Sequence, residues 1–370
     1  MSPSVRRWVL NLLRVAVTVV AGIVVVRMIR WDDYWAVKEP GGKVATYPLD
    51  QVRAVTRVSD TEIRVDWANG RQSRAEDARK REGFLSLFDH TNKPLFFGMM
   101  LAILLPFSLL ALRWWLLLRG HGFQARFGQI FFVTYAGAFF NNFLPGAVGG
   151  DLTKAILASS GEERKAAIAA TVILDRLIGL AVMIVLGSAC LTPYVGRFDD
   201  KRLAYLIYGL LGAMVVGYVL YFSPLFRKIL EVLPFKKTIA ELDGVFRAAR
   251  EKKALVAQAG GLSLVAQAAG ILIIYGLARA MGIPGIGLWM FFIFEPIIFI
   301  VTALPISMGG WGVQEVIYEK TFGTFGGIDP NQAIALSVLY KLSLILVSIP
   351  GGLAFAMGAT QRRQAGPPPA

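Results

Sequence analysis

Apolar residues in this chain come in long unbroken runs, not in the alternating or i, i+3, i+4 stripes of a soluble domain. The clearest runs are Trp8 to Ile29, Pro94 to Leu118, Ala166 to Leu191, Leu203 to Phe222, Ala254 to Met281 and Ala333 to Met357. Each holds roughly 20 or more residues, the length a helix needs to cross the hydrocarbon layer. The pattern predicts an all-α polytopic membrane protein with about six full transmembrane helices. Two further apolar segments, 127–160 and 287–320, are broken by Gly and Pro and do not read as plain spans.

One long polar stretch interrupts the runs. Residues 31–93 hold 11 Lys/Arg and 11 Asp/Glu, so the segment is balanced in charge. Val52 to Val58 and Glu62 to Trp67 alternate like strands, and Asn69-Gly70 is a hairpin turn leading to a third strand. Glu76 to Phe88 reads as a short helix. The segment is expected to be a small α+β insert outside the membrane, with the run before it (1–30) acting as an uncleaved anchor.

Charge then sets sides. Arg6 and Arg7 precede the first run and place the N-terminus in the cytoplasm, with the insert extracytoplasmic. Arg113, Arg119 and Arg126, with no acid among them, return the next loop to the cytoplasm. Arg227 to Lys253 holds eight basic and four acidic residues and has helical period, which predicts an amphipathic cytoplasmic elbow over 223–253. The tail 359–370, with Arg362, Arg363 and a Pro-rich end, is expected to be cytoplasmic and disordered. The localisation expected is the plasma (bacterial inner) membrane. The net charge of +14 is concentrated in such loops, so positive-inside orientation and anionic lipid explain it without nucleic acid.

Parity turns the two broken segments into hairpins. Two plain spans already carry the chain from the Arg119 loop back to the elbow, so 127–160 enters and leaves on the cytoplasmic side. By the same count 287–320 enters and leaves on the outer side. Both carry one punctuation: Leu144-Pro145-Gly146-Ala147-Val148-Gly149-Gly150 and Leu304-Pro305-Ile306-Ser307-Met308-Gly309-Gly310. Pro removes a backbone donor and Gly-Gly permits a tight reversal, so Pro145, Gly149, Gly150, Pro305, Gly309 and Gly310 are the expected hairpin breakers. Broken backbone at membrane depth is tolerated only inside protein or beside a wet cavity. Paired interruptions in two halves of a chain point to an inverted-repeat-like fold with a midplane site in domain 94–358.

The segment Asn142 to Asp151, with Asp175-Arg176-Leu177-Ile178-Gly179-Leu180 after it and Leu304 to Glu315 later, resembles the membrane region of lysylphosphatidylglycerol synthases. The likeness spans about Pro94 to Met357. It implies a flippase-like fold, and in full-length synthases a membrane region that moves aminoacylated lipid between leaflets beside a soluble domain that makes it. No such domain follows Met357 in this sequence, so synthase activity is not implied. The insert departs from the pattern.

Ionisable residues inside spans are expensive and face a cavity or a counter-charge. The headgroup-binding candidates are Asn141, Asn142, Asp151, Lys154, Arg176, Ser307, Gln314, Glu315 and Lys341. Asp151 and Lys154 share a helical face and could instead pair with each other. Arg176 suits bidentate phosphate recognition. Asp175 and Glu295 are candidates for coupling or for a structural ion pair. Lys341 either snorkels to the interface or pairs with Glu295 or Glu315. Trp31, Tyr34, Trp35, Trp114 and Trp115 fit interfacial belts. Cys190 is alone, and His90 and His121 make no metal pattern, so no metal or cofactor is expected.

The reading these features favour is a lipid flippase-like transporter for an anionic or polyisoprenoid-linked headgroup, not an enzyme. A lipid transferase would need paired carboxylates or a nucleophile with its base on an aqueous face, and none stands out in the loops. A scaffold would use the insert to recruit an extracytoplasmic protein. The expected partners are membrane lipids, with such a protein and a second copy of the chain as further candidates.

Overall fold

The computed structural model describes residues 23, 26–27, 29–40, 44–59, 62–143, 148–160, 162–197, 201–223, 236–304, 307 and 309–357. The tail 359–370 and most of the expected anchor over 1–30 lie outside the described residues.

The insert is built from two three-stranded antiparallel sheets. One has the order β2-β1-β6, from Tyr34–Lys38 (β1), Val44–Pro48 (β2) and Asp77–Arg81 (β6). The other runs through Val52–Arg57 (β3), Ile63–Trp67 (β4) and Gln72–Ala75 (β5). The Asn69-Gly70 turn joins β4 to β5, with Gly70 at φ 83° and its N–H donating to the Trp67 carbonyl at 3.0 Å. Val37, Val52, Val65 and Ala75 form the buried centre, and Trp35, Tyr47 and Trp67 pack on it.

The helix expected over Glu76 to Phe88 is corrected: Asp77–Arg81 pairs with β1, and helix α1 covers only Phe84–His90. Residues with good helical propensity are held extended because Ala78 packs on the insert core and Tyr34 to Lys38 offer a ladder. Tertiary pairing outweighs a weak local preference. Asp33 fastens the start of α1 by accepting the Gly83 N–H at 2.9 Å. That bond above all, helped by Ser86 and Lys80, holds its carboxyl below the ordinary carboxylate range. A lowered acid contributes stability above its unfolded value of about 3.9 and loses it as pH falls through the folded one. The insert is therefore expected to loosen in acid. Asp33→Asn should flatten that limb when Trp fluorescence is followed against pH.

Among the described residues, five helices are long and apolar enough to cross a membrane: Lys93–Gly120, Lys165–Gly196, Ala204–Tyr221, Lys253–Ala280 and Pro330–Ala356. They match the five later runs read from the sequence. In element terms these are α2 (Lys93–Ala102) with α3 (Leu104–Gly120), α6 (Lys165–Leu191), α7 (Arg202–Tyr221), α9 (Lys253–Ala280) and α12 (Pro330–Ala356). Of the elbow expected over 223–253, helix α8 (Lys236–Glu251) is described and 224–235 lie outside the described residues.

Contacts sort the helix ends. At the insert end, the Asn92 N–H reaches the Ala280 carbonyl at 2.8 Å. There Asn331 accepts the Arg30 N–H at 2.9 Å and Asp329 accepts from Tyr34 at 3.0 Å. At the elbow end, Lys252 donates to the Gly120 carbonyl at 2.5 Å, and Tyr221 donates to Asp243 at 2.9 Å. The two ends have separate apolar clusters, one around Phe291, Phe294, Tyr318 and Phe322, the other around Trp114, Ile130, Ala158 and Ala167.

Candidate functional site between two helix pairs

Four shorter elements fill the space between the spans. Phe127–Phe143 (α4) and Val148–Ala158 (α5) form one pair. Leu288–Ala303 (α10) forms the other with Val313–Tyr318 (α11), which continues as a π-helical turn over Glu319–Phe325. The returning arm of the second pair thus runs past Lys320, where the sequence reading ended it.

Glycine lets α4 and α5 touch. A Cβ on Gly150 would lie 2.1 Å from the Gly137 carbonyl oxygen, so only glycine fits there. Asn141 then accepts the Gly150 N–H at 2.7 Å, satisfying a donor at the start of α5. Gly149 is buried beside it, and Thr153 donates to its carbonyl at 2.9 Å. On its other side α4 packs on α12. A Cβ on Gly351 would meet the Tyr135 backbone at 2.3 Å, and Asn142 donates to Ser348 at 3.2 Å. Pro145 and Pro305 lie outside the described residues.

The pairs meet end to end. Gly309 has φ +56°, and a Cβ on it would come within 2.6 Å of the Asn142 carbonyl oxygen. Arg176 on α6 ties the pairs from the side: its guanidinium is ion-paired with Asp151 on α5 and donates to the Ala303 carbonyl of α10 at 3.4 Å. Asp151 therefore does not pair with Lys154. Lys154 instead lies with its ammonium 5.5 Å from the Trp114 ring.

Gly309, Gly310 and Gly312 all have positive φ, so the chain before α11 turns in a way L-residues resist. The Gly312 N–H donates to Glu315 at 2.6 Å. Around this turn four buried polar atoms have no hydrogen-bond partner among the described residues: Ser307 Oγ, Gln314 Nε2, Glu315 Oε1 and Lys341 Nζ. Lys341 is 2% exposed, so it does not snorkel. Its ammonium faces the Trp311 ring at 5.0 Å, and Glu315 is the carboxylate whose field reaches it. Glu295, further along α10, accepts from Tyr318 at 2.7 Å. Buried polar atoms are rarely left unpaired. Four together, with donors and an acceptor, concentrate unmet hydrogen-bonding capacity at this turn.

Asp175 belongs elsewhere. It accepts from Arg113 on α3 at 2.6 Å, and Arg113 also donates to Ser263 on α9 at 2.8 Å. Gln267 completes the knot by donating to the Gly179 carbonyl at 2.8 Å. Arg113, expected in a loop, is 4% exposed inside a span. The signal was present: it sits within Leu109-Leu110-Ala111-Leu112-Arg113-Trp114-Trp115-Leu116, an apolar run with one charge. Trp114 is likewise fully buried, bonded to Thr171, and is no belt residue. Tyr318, which no motif marked, is the further polar residue the sequence reading missed. A cavity of about 280 Å³ at the elbow end, lined by His121, Arg164, Glu241 and Lys252 among others, contains none of the motif residues.

The family model for the lysylphosphatidylglycerol synthase TM region matches residues 81–351. The chain belongs to that family. Both helix pairs, the Arg113 knot and the Arg176 tie lie within the lysylphosphatidylglycerol synthase TM region, which marks an integral multi-pass membrane protein acting on lipids. The match starts at the last residue of β6, so nearly all of the two sheets falls outside it. Comparison with curated proteins gives no match.

Proposed function

We propose that this chain moves the headgroup of an anionic or polyisoprenoid-linked lipid between membrane leaflets, without acting as an enzyme. The observation that carries the reading is the meeting of two Gly-broken helix pairs at Asn142 and Gly309, beside four buried polar atoms without partners among the described residues.

Each pair is read as a re-entrant hairpin. At 1.5 Å per residue, the 17 residues of α4 and the 16 of α10 reach about 24–26 Å, short of a ~30 Å hydrocarbon core. Ile130 and Ala158, one on each arm of the first pair, share the elbow-end cluster. Trp289 stacks on Tyr194 near the start of the second pair, and Asp329 follows its end, both toward the insert. The hairpins would thus dip from opposite faces, as in transporters built from inverted repeats. The basic elbow end faces the cytoplasm in this reading, and the insert is extracytoplasmic on a bacterial inner membrane.

Arg176 is then the headgroup contact. Its guanidinium already holds a carboxylate between the hairpins. A lipid phosphate offers the same forked acceptor. Exchange of Asp151 for phosphate would loosen the tie between the pairs while the lipid tails stay in the bilayer.

The test is reconstitution into liposomes carrying fluorescent phosphatidylglycerol or a fluorescent polyprenyl phosphate, with leaflet exchange read by an impermeant quencher. Wild type should accelerate exchange of at least one probe. Asp151→Ala and Arg176→Ala should each slow it by about tenfold or more, equivalent to ~1.4 kcal/mol. No exchange of either probe under any gradient would sink the reading.

A further inference from the structure

The second hairpin buries an unequal set of charges. Two carboxylates, Glu295 (5% exposed) and Glu315 (0%), share its interior with one ammonium, Lys341 (2%). Fully ionised, the group would leave one negative charge without compensation inside the membrane region, which is strongly disfavoured. One unit of positive charge is missing.

Local geometry says where it belongs. Glu315 has the Gly312 N–H at 2.6 Å, and the field of the Lys341 ammonium reaches it without direct contact. Glu295 has neither. Its hydrogen bond comes from the neutral Tyr318 hydroxyl at 2.7 Å. The titratable groups that face it are both phenols, the buried Tyr318 on the returning arm and the half-buried Tyr340 on α12. From α6 the neighbour is Gly187, packed on Pro296. Pro296 gives no N–H to the Phe292 carbonyl one turn back. A divalent metal would need several oxygen ligands. Among the described residues no three His, Cys, Asp or Glu converge.

We propose that Glu295 is a proton-binding site within the membrane and that its proton is exchanged as the second hairpin opens and closes on a headgroup. The coupling half of this proposal rests on the transport reading above; the proton site does not. With the proton in place, the hairpin interior is neutral and the Tyr318 bond closes α11 on α10. When the proton leaves, a lone carboxylate remains that water must solvate, and the hairpin opens. Leaflet exchange is therefore linked to proton movement.

The experiment uses the full chain in phosphatidylcholine–phosphatidylglycerol vesicles and has two independent arms. The first is infrared difference titration from acid to alkali. Wild type should show the carbonyl band of a buried protonated carboxylic acid, shifted by deuterium. Glu295→Gln should abolish that band, Glu315→Gln should keep it, and Glu295→Asp, which retains an acid should the amide fail to fold, should move it. A band absent from wild type, or unmoved in both Glu295 variants, overturns the proton site. The second arm measures exchange of fluorescent phosphatidylglycerol with and without an imposed pH gradient. A several-fold change in the wild-type rate supports coupling, and an unchanged rate overturns it. A Glu295-dependent band with no exchange of any lipid upholds the proton site and sinks the transport reading alone.

Discussion

Arg113→Leu is expected to destabilise the folded bundle by about 3–5 kcal/mol, because it strands a carboxylate that has no access to water. Arg113 and Asp175 are nearly fully buried, and the guanidinium also carries Ser263. One side chain therefore ties α3, α6 and α9 together. Removing it leaves Asp175 as an unpaired charge and takes away one of the two donors to Ser263. Fluorescence-detected size exclusion after heating should show a sharp fall in the midpoint. Asp175→Leu should fall in the same direction, since it strands Arg113 instead.

The double variant separates two meanings of that number. Replacing both partners with leucine removes the desolvation penalty along with the pair, so it should recover most of the single-variant loss. A single variant within ~1 kcal/mol of wild type would show that the pair is solvated, as exposed pairs are. Transport variants at the next residue should behave differently. Arg176 is half-exposed and rotated about 100° from Asp175 around the helix, so its loss should spare folding and reduce exchange.

The spans were legible because a membrane crossing needs only length and apolarity, and both are written directly in the chain. Ala166 to Leu191 and Ala254 to Met281 were placed to within a residue or two of α6 and α9. The insert was less legible. Its β4–β5 turn was readable from Asn69-Gly70, but β6 depends on pairing with β1 some 40 positions before it. Local pattern does not report such pairing, and Glu76 to Arg81 carried the opposite preference.

For the site, the sequence marked the residues but not their counterparts. Asp151, Arg176, Glu315 and Lys341 stood out as charges within apolar segments. That Asp151 would meet Arg176 rather than Lys154, and Asp175 would meet Arg113, follows from how helices pack. Those choices belong to tertiary structure. The repeated Gly-Gly pattern read as tight reversals, whereas at Gly150, inside α5, and at Gly309 it allows close backbone approach.

Gly309→Val is expected to lower leaflet exchange by about tenfold or more, ~1.4 kcal/mol or above in the barrier, with a smaller loss of stability. Two effects add. A β-branched residue at φ +56° sits in the left-handed region at a cost of roughly 1–2 kcal/mol. Its Cβ would also fall 2.6 Å from the Asn142 carbonyl oxygen, a backbone atom that cannot swing aside. The two helix pairs must then separate where they meet. Gly98→Val is the matched control, because a Cβ there touches nothing and the backbone is helical. Exchange assays on both variants, at equal reconstituted protein, decide the matter. If Gly309→Val exchanges lipid as fast as Gly98→Val, the contact between the pairs is not where the headgroup passes.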